Sequence, residues 1–155
     1  MHHLYAQSTD LDMGAAVLLR NLDKSLDEVH DLFAWDISAF LRLNREARAH
    51  YERMEQRSTP DKIVLDRISR FTSISFFKKC EENSALTALI EGSHVNWSDY
   101  SHHFRNLWEA IYASDRFEEF VSQPRTHAGD KRFLKEMYQQ HIAENVFIHD
   151  LYEDQ

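Results

Sequence analysis

FTSISFFKKCEENSALTALIEGSHVNWSDYSHHFRNLWEAIYASDRFEEFVSQPRTHAGDKRFLKEMYQQHIAENVFIHDLY, residues 71–152, writes one short phrase three times at a fixed spacing. Cys80, Ile111 and Ile142 stand 31 residues apart, with Phe76, Leu107 and Tyr138 four residues before them. Six residues after each comes Leu86, Phe117 or Ile148, and three further on Leu89, Phe120 or Leu151, followed at once by Ile90, Val121 or Tyr152. Between these columns, always at the same offset, stand Asn83, Ser114 and Asn145, residue types that cap helix starts and interrupt helix runs. The unit is therefore a longer helix, a cap and a shorter helix. A unit of this size cannot bury its apolar face alone, so the period predicts three helix–short-helix units stacked on one another.

Composition agrees with helix. A chain of 155 residues can bury about 70% of its unfolded surface without staples. Only three glycines and two prolines leave few sites for tight turns, and no segment alternates with period two for long enough to make a strand. The class expected is all-α: a helical bundle in which a long helix precedes the three units. Cys80, the single cysteine, falls on an apolar column and reads as a small buried hydrophobe. With no disulfide available, no run of about 18 apolar residues and no leader pattern, a soluble cytoplasmic protein is expected, away from membranes.

Two regions are expected, 1–57 and 58–155, packed together as one domain. Met1 to Gln7 reads as the last turns of a helix, and Ser8-Thr9-Asp10 as a new start. Ser25-Leu26-Asp27-Glu28 has the form of a capping box, marking either a new helix or a position inside one continuous rod, with a break or kink expected there. From there Leu26, Val29, Phe33, Ile37, Phe40, Leu41, Ala47, Tyr51 and Met54 recur at helical spacing, the longest such run in the chain. Ser58-Thr59-Pro60-Asp61 ends it, and Asp61 can cap the segment after it. Residues 62–70 form a short helix or an irregular bridge. The three longer repeat helices are expected at about 73–82, 98–113 and 129–144.

Charge and motifs argue against catalysis. Up to Cys80 there are 12 Lys and Arg against 12 Asp and Glu, and beyond it 6 against 14, so the whole net charge of −8 belongs to the second half. That half suits a protein partner better than a phosphate backbone. Ten histidines raise the question of a metal, but Glu91-Gly92-Ser93-His94 alone has Glu-x-x-His spacing and it crosses a glycine. Without paired cysteines or a nucleophile elbow, neither a metal site nor an enzyme is expected, and no cofactor. Glu81-Glu82 and Glu118-Glu119 point to different sides of their helices, as solvated carboxylates do. Arg42, Arg45, Arg48, Arg53 and Arg57 read as a solvated face with internal ion pairs, His141 as a core-edge residue, and Trp97 as a staple at a helix entry.

In order along the chain, Leu4-Tyr5-Ala6, the long helix after Ser25, SRFTSISFFKKC at 69–80, VNWSDY at 95–100 and HDLYEDQ at 149–155 resemble the N-terminal portion of the long NusB-type transcription antitermination factors of the Bacteroidetes. The resemblance implies an all-helical protein that, with ribosomal protein S10, binds boxA RNA within the RNA polymerase complex. The family's first helix has an arginine-rich start and a Gln-x-Leu-Tyr motif; here Leu4 and Tyr5 match, His2 stands for the glutamine, and the arginines are absent. Tyr5 and His2 are thus the RNA-facing residues the resemblance implies. The family's C-terminal signatures have no counterpart, which makes the chain an N-terminal and insert region of mainly structural role. The reading that stands beside it is an acidic helical-repeat scaffold for another protein, without RNA binding; a homodimer is open under both.

Overall fold

The structure, a computed structural model, describes residues 31–92, Trp97 and residues 100–143. The expectations for Met1–Gln7, for the starts at Ser8 and Ser25, and for Asn145, Ile148, Leu151 and Tyr152 lie outside the described residues. The described residues are mostly helical, without strands, and pack as an all-α bundle. Seven α-helices follow one another: α1 (Asp31–Glu55), α2 (Lys62–Thr72), α3 (Ser75–Glu82), α4 (Ser84–Gly92), α5 (Ser101–Tyr112), α6 (Asp115–Ser122) and α7 (His127–Met137). The last runs on into a π-helical turn, Tyr138–Ala143.

The long helix α1 is the axis of the bundle. Its six consecutive residues Trp35 to Phe40 are all buried, and a helix covered on every face must be surrounded by other elements. Beyond Arg45 only one face stays inside, through Glu46 and Ala47. The residues 56–61 turn the chain back, Asp61 caps α2 by accepting the N–H of Ile63 (3.0 Å), and α2 packs along α1. Residues 62–70 are thus helix, resolving the alternative of an irregular bridge. Helices α4 and α5 and the π turn also pack on α1.

The caps and buried columns of the 31-residue phrase appear where they are described, but the longer-then-shorter order holds in the second unit (12 and 8 residues) and not in the first, whose helices have 8 and 9 residues. Asn83 Oδ1 accepts the Leu86 N–H (3.0 Å) and Ser114 Oγ accepts the Phe117 N–H (3.1 Å), so the same cap separates α3 from α4 and α5 from α6. Cys80, Ile111 and Ile142 are buried, as are Leu86 and Phe117. Phe76 and Tyr138 are buried, and Leu107 packs half-buried against the core. In the third unit the π turn widens the helix, so that Tyr138, Ile142 and Ala143 all reach the interior.

The three units meet at one ring. Phe71, on α2 and fully buried, lies 5.1 Å from Phe77 of the first unit, 5.0 Å from Trp108 of the second and 6.3 Å from Phe133 of the third. From there Phe117 joins Trp108 to Phe133, and Phe120 stacks on Phe133 with centroids 4.1 Å apart. Aromatic pairs at these separations add about 0.5–1.5 kcal/mol each beyond the area they bury. Trp97 is the expected staple: buried between Trp35 and Phe104, its Nε1–H donates to Ser38 Oγ (2.9 Å) on α1.

Candidate interaction site

Polar residues of the core are tied down in ways that leave little reactivity. Burial, with help from Glu81, pushes the Cys80 thiol up to about 12, so it stays protonated and a poor nucleophile. Tyr138 donates its hydroxyl to Asp36 Oδ2 (3.0 Å), and burial together with that carboxylate raises its pKa. The Trp108 Nε1–H donates to His50 Nδ1 (3.1 Å), which requires a neutral ring; burial first, then the nearby Arg53 guanidinium, holds His50 below the usual histidine range. His141 is half-buried at the core edge and its pKa is lowered by burial, while His102 and His127 are exposed. Among the described residues no three histidine, cysteine or carboxylate side chains gather as a metal site would need. Tyr5, His2 and the Glu91–His94 pair lie outside the described residues, wholly or at His94.

Some of the charges are paired. Arg42 bonds Glu46 within α1 (2.9 Å), Arg48 reaches Glu81 on α3 (2.9 Å) and Arg67 reaches Glu118 (2.6 Å), so of the five arginines expected to form a solvated face with internal ion pairs, Arg42 alone pairs within its own helix, and that pair is largely buried. Arg45, Arg53 and Arg57 are exposed and close no ion pair among the described residues. In the described part, ten basic residues face seven acidic ones up to Cys80, and six face nine beyond it. The described residues thus carry no net charge, and the −8 resides in the remainder of the sequence.

Two surface features stand apart. The first is α4, where only Leu86 is buried; Ala85, Thr87 and Ala88 are exposed and Leu89 is half-exposed. In the second unit the same column is Phe120, which is buried on Phe133. Counting back one period from Phe133 gives His102, an exposed residue bonded to Asn106, so no matching ring is available to the first unit.

The second is a cleft of about 310 Å³ where α6 ends and α7 begins. Arg70, from α2, caps the end of α6 by donating to the carbonyls of Phe120 (3.2 Å), Val121 (3.4 Å) and Gln123 (2.9 Å), with its guanidinium 5.0 Å from the Phe120 ring centre. Thr126 Oγ1 caps α7 through the Gly129 N–H (2.9 Å); a side chain at Gly129 would bring its Cβ within 2.9 Å of that oxygen. Arg116 holds Glu136 through Nε (2.5 Å), and Arg125 holds Asp130 Oδ2 (3.3 Å) and the Arg70 carbonyl (3.1 Å). The sequence did not announce this cleft because its lining arginines, Arg70, Arg116 and Arg132, come from three separate helices; the break at Pro124–Gly129 was its one local sign.

Comparison with protein-family models, with curated proteins and with solved structures finds no match. No helix among the described residues is long and apolar enough to cross a membrane. What fold and surface define is a class: an all-α bundle of capped helix pairs wound about a central helix.

Proposed function

We propose that this chain is a helical scaffold that binds another protein, with α4 as part of the contact surface. The observation that carries the reading is the repeat column that buries Phe120 in the second unit but leaves Leu89 half-exposed in the first. A leucine left only half-buried between the exposed Thr87 and Ala88 and the exposed Glu91 offers apolar surface to a protein contact. A photo-crosslinking residue placed at Ala88, in cells that make the protein, should give one discrete adduct that Leu89→Lys abolishes; the same residue at Arg105 should give none. Equal labelling from both positions, or none from Ala88, rejects the scaffold reading.

A second reading is part of a NusB-like antitermination factor, with ribosomal protein S10, boxA RNA and the RNA polymerase complex as partners. It is favoured by the sequence resemblance and by the exposed Arg45, Arg53 and Arg57 on and just after α1, which could face phosphates. Binding of boxA-like RNA that weakens steeply with salt would support it, whereas no binding at low salt would remove it.

A further inference from the structure

His50, on α1, and Trp108, on α5, are 58 residues apart in sequence and close one polar bond at the edge of the core: the indole Nε1–H donates to His50 Nδ1 (3.1 Å). An indole nitrogen is a donor only, so Nδ1 must be bare and the imidazole proton belongs on Nε2. The His50 ring is half-buried and lies edge-on to Trp108 and to Tyr112, with centroids 6.3 and 5.1 Å away. Trp108 itself is buried and packs on Phe71 (5.0 Å), so the bond ties α1 to the rings on which the three units meet.

A second proton on this ring reverses the contact. Nδ1–H would then face Nε1–H, two donors with no acceptor between them. Burial is the largest of the effects that resist the proton, followed by Arg53 on α1, and Arg57, just after α1, adds to them. On α2, Arg67 lies over the same Tyr112 ring (5.5 Å), but its charge is taken up by Glu118 (2.6 Å). Glu109 pulls the other way: it follows Trp108 on α5, is exposed, and closes no ion pair among the described residues. Successive helix positions point to different sides, so Trp108 lies inward and Glu109 outward. One swing of the imidazole separates the two partners.

We propose that His50 is a pH-operated latch between α1 and α5: neutral, it accepts the Trp108 indole N–H and ties the two helices; protonated, it releases Trp108 and turns outward to Glu109. The latch is closed at neutral pH and opens below the ordinary histidine value of 6.5, since the folded ring holds its proton less tightly than a free one. Acid thus removes one polar tie while the apolar packing about Phe71 keeps the bundle folded. This device does not depend on what α4 binds, and it stands or falls apart from the scaffold reading.

The test follows the indole Nε1–H signals of the full ¹⁵N-labelled chain by two-dimensional NMR from pH 8 to 5. Trp108 should move with a midpoint below 6.5, whereas Trp97, whose indole donates to the Ser38 hydroxyl, should stay in place. His50→Gln keeps an acceptor but has no proton to gain, and should hold the Trp108 signal still across the range. Glu109→Gln, an exposed change, should lower the midpoint, and Arg53→Gln should raise it. Circular dichroism at each pH should show the helix content unchanged. A Trp108 signal that stays in place while His50 titrates, the same movement in His50→Gln, or movement seen only as helix is lost would each overturn the latch. So would a midpoint that Glu109→Gln leaves unchanged.

Discussion

Replacing Phe71 by alanine should destabilise the whole bundle rather than one part of it. The ring is fully buried and touches one aromatic side chain from each of the three units. Burying a phenylalanine side chain is worth about 2–3 kcal/mol, and three aromatic pairs add roughly 0.5–1.5 kcal/mol each, of which relaxation around the cavity recovers a part. The expected loss is about 4 kcal/mol, within the usual range for Phe→Ala in a core and a large fraction of the 5–15 kcal/mol that holds a typical domain. At roughly 2–4 °C per kcal/mol for a chain of this size, the melting temperature should fall by about 8–16 °C. Urea unfolding monitored by far-ultraviolet circular dichroism and by tryptophan fluorescence measures the loss, and Trp108 reports from beside the cavity. Both signals should move together. A loss below about 1 kcal/mol, or a helical signal that melts in separate steps while one unit stays folded, would refute the view that the units converge on this ring.

Other expectations are as direct. Ile111→Asp places an unpaired carboxylate in a fully buried column and should abolish cooperative melting, whereas a variant with unchanged melting would mean the column is not core. Asn83→Ala and Ser114→Ala each remove one cap bond and should each cost about 1 kcal/mol in urea unfolding. Arg70→Ala strips three carbonyls at the end of α6 of their donor and should cost about 1–3 kcal/mol; Arg70→Lys, with a point charge for a planar fork, should recover only part. Stability should also depend on pH near neutrality. His50, His103 and His141 all have lowered pKa values in the folded chain, chiefly through burial, with Arg53 and Arg57 adding at His50 against Glu109, and His102 at His103. The unfolded chain therefore takes up protons first, so stability is full above the ordinary histidine value of about 6.5, falls as pH drops below it, and levels off beneath the folded values. Melting temperatures between pH 8 and 5 check the sign, and His50→Gln should flatten part of the slope.

What could be read in the sequence was whatever is encoded locally. The cap residues Asn83 and Ser114 and the buried column Cys80–Ile111–Ile142 needed only spacing, because capping and helical periodicity act over three or four residues. Pro60 and Asp61 marked the α2 start for the same reason. Trp97 was legible as a staple, though its bond to Ser38, 59 residues away, was not. The Tyr138–Asp36 pair spans 102 residues and the Arg70 cap more than 50, and nothing in either neighbourhood announces the other. The central place of Phe71 was hidden too, since it opens the repeated stretch without falling on any of its apolar columns. As for the candidate site, the repeat pointed to α4 only after burial separated Leu89 from Phe120, and the cleft at α6–α7 is a product of tertiary assembly alone.

The convergence on Phe71 also bears on how such a chain can change length over evolutionary time. Repeat arrays that stack in a line gain or lose whole units at their ends, since each unit needs only its neighbours. Here each of the three units places a ring against Phe71, so deleting any one would leave a ring-sized gap in the described core. The tandem register is retained in sequence, but the described parts of the three units converge on one residue instead of following one another in a line.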